Sequence, residues 1–260
     1  VGSEMCIRDR YRTVPGLENA HIVKNAYAIE YDCIDATQLK PSLEFRCLEG
    51  LFAGGQLNGS SGYEEAAAQG LIAGINAAMY LKGKEPLVLD RSEAYIGVLI
   101  DDLTTKGTLE PYRLLTSRAE FRLLLRHDNA EQRLIDYGRR VGLISDARYA
   151  AYEAKMEKLN TLENTMKEAH FHLDDPRLME ILQKYKNFIP EHRGESGYEL
   201  LKRPGITTEK LMGMLGEEAD DALCEKCDIE IKYKGYIEKA RREAQKLQAM
   251  ENIVLGTDFD

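Results

Sequence analysis

Residues 54–65 read Gly54-Gly55-Gln56-Leu57-Asn58-Gly59-Ser60-Ser61-Gly62-Tyr63-Glu64-Glu65, and AAAQGLIAGINAAMYL follows over 66–81. Four glycines in nine positions let backbone N–H groups approach a ligand with no Cβ in the way. The run after them is small, apolar and helical in spacing. A helix opening near Tyr63 presents unpaired N–H groups and the positive end of its dipole, suited to a phosphate or an electron-rich carbonyl. Upstream, Leu51–Gly54 (LFAG) reads as a short, buried strand. Strand, glycine turn and helix are the local grammar of an α/β nucleotide-binding fold. A surface turn before a well-packed helix fits the same residues.

Outward from this stretch, two compositions meet near residue 90. Residues 11–90 alternate short apolar runs with Gly and Pro, and Ala26–Tyr31 (AYAIEY) reads as a strand. Residues 91–260 read as helices: Asp146–Ala169 has no Gly or Pro, and Ala219–Asn252 is broken only by Gly235. The expected fold is α/β and then all-α. Residues 1–10 (VGSEMCIRDR) lack an apolar core and read as a non-native leader.

The chain of 260 residues is 43% hydrophobic and 30% charged, with a formal charge of −9. This balance excludes a wholly basic nucleic-acid coat but leaves room for a local basic patch. No apolar run approaches the roughly 18 residues of a membrane span. Five cysteines, Cys6, Cys33, Cys47, Cys224 and Cys227, are too few and too scattered for a disulfide scaffold, which favours a reducing cytoplasm. Cys224 and Cys227 form a C-x-x-C pair inside a helix-like run, without the second pair that a zinc site needs. His21, His127, His170, His172 and His192 read as structural or surface residues, and no metal site is expected.

A local basic patch is present. Between Pro111 and Gly142 stand seven arginines, Arg113, Arg118, Arg122, Arg126, Arg133, Arg139 and Arg140, against four acids, Glu120, Asp128, Glu131 and Asp136. Ser117 and Glu120 have capping-box spacing, which puts Arg118, Arg122 and Arg126 on one helix face. The same three share a face if the segment is a strand. Arginine forks bind phosphates and stack on bases, with Tyr112 and Phe121 as further stacking area; pairing with the neighbouring acids is the alternative. Lys232, Lys234, Lys239, Arg241, Arg242 and Lys246 alternate with acids near the C-terminus, as on a solvated helix face, with a secondary RNA or partner contact as the other reading.

The run AGGQLNGSSGYEEAAAQGLIAGINAA (53–78) resembles a signature of the MnmG (GidA) family. The likeness continues through YAIEYD (27–32), EPYRLLTSRAEFRLLLRHDNAEQRL (110–134) and IKYKGYI (231–237). The one departure is Gly54, where the family usually has Ala. This resemblance implies the C-terminal portion of an FAD-binding, Rossmann-like domain over 11–90 and a helical tRNA- and partner-binding domain over 91–260. It implies FAD held by Gly55, Gln56, Asn58, Gly62, Tyr63 and Glu64, and tRNA held by Arg113, Arg118, Arg122 and Arg126.

The implied reaction adds a carboxymethylaminomethyl group to position 5 of the tRNA wobble uridine. NADH and methylenetetrahydrofolate are its co-substrates, and an MnmE-type GTPase and a second copy of the chain its partners. The implied location is cytoplasmic, or mitochondrial in a eukaryote. The family's G-x-G-x-x-G loop, catalytic cysteines and nicotinamide region are expected upstream, so this chain alone is expected to be inactive. A folate- and FAD-dependent tRNA uridine methyltransferase has a similar glycine turn but lacks SRAEFRLLLR and the long helical region. A non-catalytic helical RNA-binding module is the alternative from another class.

Overall fold

The computed structural model describes residues 9–24, 32–188 and 194–251, in two compact units, Val1–Cys33 and Ile34–Asp260. In the first unit, residues 9–12 make a helical turn, and backbone hydrogen bonds close the tight turns after it, Val14 N to Tyr11 O and Leu17 N to Val14 O. The predicted strand AYAIEY, and residues 1–8 of the stretch read as a leader, lie outside the described residues.

The second unit is mostly helical. Its helices are α1 (Tyr63–Leu81), α2 (Tyr95–Asp101), α3 (Ala130–Arg140), α4 (Asp146–Glu168), α5 (Pro176–Lys184), α6 (Gly197–Leu201), α7 (Thr208–Leu215) and α8 (Asp221–Glu251). Local chemistry marks several of their starts. Ser145, Asp175, Ser196 and Thr207 each accept a backbone N–H from the first turn of the helix that follows. Pro176 opens α5, where a missing N–H is harmless. The strands among the described residues are β1 (His170–His172) and β2 (Gly194–Ser196), antiparallel with Phe171 opposite Glu195.

Two groups of apolar clusters form the core. One uses α4 to α8: Leu159, Met166, Leu178, Leu200, Leu211 and Ile231 are all buried together. Cys224 and Cys227 belong to it, and burial pushes the Cys227 thiol up to about 11. Both are therefore packing residues held as thiols, consistent with the structural reading of the pair. The other group joins Leu39, Leu43, Ala53, Ile72, Leu87 and Ile100, with Tyr137 and Val141 packed against it.

Several local readings need correction. Leu39, Ile72 and Ile100 share one cluster, so packing is continuous across the composition change near residue 90. LFAG is not a strand: Phe52 makes a single bridge to Glu44, and Leu51 is exposed. No parallel sheet occurs among the described residues. Gly235 does not interrupt α8, whose 31 residues run through it; packing against α4 and α7 outweighs the helix cost of one glycine. His170 and His172 stand on the exposed face of β1, and no group of three potential metal ligands occurs among the described residues.

Asn76 ties the second of these clusters together. It is buried on α1, donates to Ser42 O (3.0 Å) and Leu87 O (2.9 Å), and accepts from Leu87 N (2.6 Å). It thereby fixes two loops against the helix. Asn76→Ala should cost about 3 kcal/mol in urea unfolding, because it strands three buried backbone groups. Asn160→Ala, on the exposed side of α4, should stay within about 0.5 kcal/mol of wild type.

Candidate functional site

The glycine turn is built as its sequence requires. Gly54 is extended, Gly55–Asn58 forms one 3₁₀ turn, and Gly59 closes it in the left-handed region. Gly55 has φ +77°, a conformation that side chains rarely adopt, and a Cβ there would sit 3.2 Å from Ala66 Cβ. The turn therefore presses directly onto α1, and the small residues of the helix make the approach possible.

A buried amide pair fixes the turn's shape. Gln69, on α1, accepts through Oε1 from Gly55 N (3.1 Å) and from Asn58 Nδ2 (2.9 Å). Asn58 Nδ2 also donates to Ala53 O at 3.1 Å. Both side chains are fully buried. Asn58, one of the expected cofactor ligands, thus has its amide N–H groups directed at the protein. Gln69 escaped the sequence reading, although an amide among the small apolar residues of this helix was a usable signal.

Glu65 performs a second task at the start of α1. Gly62 provides no side-chain cap; instead the buried Glu65 carboxylate lies over this end, so close that a Cβ on Gly62 would fall 1.7 Å from Glu65 Oε2. Its Oε1 accepts from Leu114 N (2.8 Å) and Arg113 Nε (3.1 Å). Burial raises the pKa of this carboxyl, but the Leu114 and Glu65 amides and Arg113 outweigh it, and the net shift is downward. The positive end of α1 is thus already neutralised, which disfavours a phosphate and favours an uncharged polar group.

The turn and the arginine segment are one structure. Ser60 and Tyr112 form a parallel bridge, Tyr112 N donates to Gly59 O at 2.8 Å, and Ser61 N donates to Tyr112 O at 3.3 Å. Below them, Tyr112 Oη donates to Asp102 Oδ2 at 2.8 Å, and Asp102 is ion-paired to Arg91 and Lys106. Arg91 also binds Asp101, Glu120 and the carbonyl of Arg118. Arg91 too was missed, because its carboxylate partners lie up to 29 residues away.

The arginines do not form the expected stripe. Thr116–Arg118 is one 3₁₀ turn and Ala119 is extended, so the segment is neither the helix nor the strand that was predicted. The capping box is absent, since Glu120 pairs with Arg91. Arg118 stacks 4.5 Å over the Tyr112 ring and donates to Arg113 O. Arg126 is drawn inward by Asp128 and Glu230. Arg113 is largely exposed apart from its bond to Glu65, and the exposed Arg122 makes no hydrogen bond or ion pair among the described residues. Of the other expected site residues, Gln56, Tyr63 (92% exposed) and Glu64 face solvent, while Gly55 and Gly62 are buried.

Four buried polar atoms at this place have no hydrogen-bond partner: Asn58 Oδ1, Ser60 Oγ, Glu65 Oε2 and Gln69 Nε2. Such atoms are costly to leave unpaired. Together they offer acceptors and donors to water or to the edge of a neutral polar ring. The residues present therefore fit the edge of a flavin ring better than a phosphate.

Two family models match the chain: "Glucose inhibited division protein A" over residues 6–85 and "tRNA modifying enzyme MnmG/GidA C-terminal helical domain" over residues 146–241. The first match starts inside the stretch read as a leader. Among curated relatives, the tRNA uridine 5-carboxymethylaminomethyl modification enzyme MnmG of Acholeplasma laidlawii is 51% identical over 249 residues, which is 96% of this chain and 40% of that protein. The enzyme of the same name from onion yellows phytoplasma is 52% identical over 240 residues, 92% of this chain and 39% of that one. A crystal structure of Aquifex aeolicus GidA is 39% identical, with a TM-score of 0.75, over 99% of this chain and 40% of its own. The chain thus spans about two fifths of the length of the relatives it matches.

The depressed Glu65 pKa has a consequence for stability. A carboxyl whose folded value lies below its unfolded value, about 4.3, stabilises fully above that value. The contribution is lost as pH falls through the folded value. Glu65→Gln should therefore lower the melting temperature at pH 7 and show a shallower loss between about pH 5 and pH 3. Parallel melting curves for wild type and variant across that range would contradict this assignment.

Proposed function

Since the chain belongs to the MnmG/GidA family, we propose that it supplies one wall of a flavin site and an adjoining RNA surface in a tRNA-modifying flavoenzyme. The supporting observation is the direct stitching of the glycine turn to Tyr112–Leu114. A flavin lying on Gly55, Gln56, Gly62, Tyr63 and Glu64 would meet RNA held by the next segment. Asn58 shapes this wall from beneath through Ala53 and Gln69. FAD, when bound, supplies the redox chemistry; this chain's own residues orient the ring edge and neutralise the helix end beside it.

On this reading the Rossmann-like flavin part extends over 11–90, and 91–260 serves tRNA and the protein partner. The parent enzyme acts on the wobble uridine, adding a carboxymethylaminomethyl group at position 5. It works in the cytoplasm with NADH, methylenetetrahydrofolate and a GTPase subunit, as a homodimer. Among the arginines, Arg113 and Arg122 carry the RNA contact best, as both are exposed, and Arg118 adds a stacked guanidinium. Arg126 contributes less, being held by Asp128 and Glu230.

Charge reversal tests the reading. In the complete protein, Arg113→Glu with Arg122→Glu should weaken tRNA binding by at least about tenfold. It should also lower the slope of log affinity against log salt by about 1 to 2, as fewer phosphates are neutralised. Filter binding at two salt concentrations measures both quantities, and an unchanged affinity and slope would refute the assignment.

A further inference from the structure

A second surface on the helical half has the chemistry of an RNA contact. Between α6 and α8 lies an open cleft of about 600 Å³, lined by Tyr198, Lys202, Lys234, Gly235, Tyr236 and Lys239 among others. Three ammonium groups converge on the Tyr198 ring: Lys202 at 4.7 Å, Lys234 at 5.5 Å and Lys167 at 5.8 Å from its centroid. Among the described residues three carboxylates answer them, Glu238 acting on Lys234 at longer range. Glu163 is shared between Lys167 (3.0 Å) and Lys234 (3.6 Å), and Glu199 holds Lys202. Lys239 has a loose, exposed pair with Glu243 at 3.9 Å. Exposed pairs of this kind contribute little and exchange readily for a phosphate.

Gly235 strengthens the case. It lies inside α8, where glycine is destabilising relative to alanine. A Cβ built on it meets nothing within 4 Å, so the packing of the described residues does not require a glycine there. What a bare helix surface permits is the close approach of something outside. Beside it, Tyr236 is 64% exposed, with Tyr233 at 6.5 Å from it, ring to ring. Exposed tyrosine next to clustered lysine matches the stacking and phosphate contacts of single-stranded or loop RNA.

We propose that this cleft is a second RNA-contact surface, in which Lys202, Lys234 and Lys239 bind phosphates, Gly235 admits the backbone, and Tyr236 stacks a base. The proposal rests on the tRNA reading above and extends its footprint from the arginine segment to the α6–α8 face.

The test uses the full chain and an unmodified tRNA transcript, with poly-glutamate as a control polyanion. Gly235→Gln fills the open space with a better helix former, so its melting temperature should hold or rise while tRNA affinity drops at least fivefold. Lys202→Gln with Lys234→Gln should lower the salt slope by about 1 to 2. Wild-type affinity and slope in these variants, alongside weakened binding by Arg113→Glu, would overturn this proposal and leave the tRNA reading intact. No binding of the transcript by the wild-type chain would overturn both. Equal losses for poly-glutamate would reduce the cleft to a general anion surface and overturn the RNA assignment.

Discussion

The Glu65 carboxylate holds two parts of the protein in one place. It closes the open end of α1 and, through the same group, grips Leu114 N and Arg113. Removing it would leave a helix end uncapped and a backbone amide without its acceptor, next to glycines that have little other reason to keep their conformation. Gln69 does the complementary work one turn further along, fixing Gly55 and Asn58 from inside. The two side chains lie on adjacent turns of a single helix, so the position of the glycine turn and that of the arginine segment are set by one rigid element.

This arrangement explains why the electrostatics run opposite to the simplest reading of a glycine-rich helix start. A free helix N-terminus attracts anions, but here an internal carboxylate already occupies it. The polar atoms left unpaired, on Asn58, Ser60, Glu65 and Gln69, call for hydrogen bonds rather than charge. The cationic groups lie across the stitch, on Arg113 and Arg122. Unpaired polar atoms on one side and exposed guanidinium groups on the other are joined by the Ser60–Tyr112 bridge.

Much of this was legible in the sequence where local rules decide the outcome. Gly62 before a small, apolar run placed the start of α1 at Tyr63, α4 followed from a stretch without Gly or Pro, and α8 from one that only Gly235 punctuates. The C-x-x-C pair was recognisable as packing because it fell on a helical pattern. The arginine segment was not legible, since its conformation depends on Arg91, Glu65 and Glu230, partners that no periodicity within 113–126 reveals. LFAG misled for a similar reason: its apolar residues suit a buried strand, but Phe52 makes one isolated bridge, to Glu44 across a tight loop, and its ring packs on Tyr80. Long-range polar contacts thus govern the candidate site, while local propensity governs the helices around it.

The central claim is that the glycine turn and the arginine segment form one cooperative unit. Amide hydrogen exchange in Gln69→Ala tests it most directly, because Gln69 touches the turn and not the segment. The account predicts faster exchange at Tyr112 and Leu114 as well as at Gly55. Faster exchange confined to Gly55, with Tyr112 and Leu114 protected as in wild type, would contradict it.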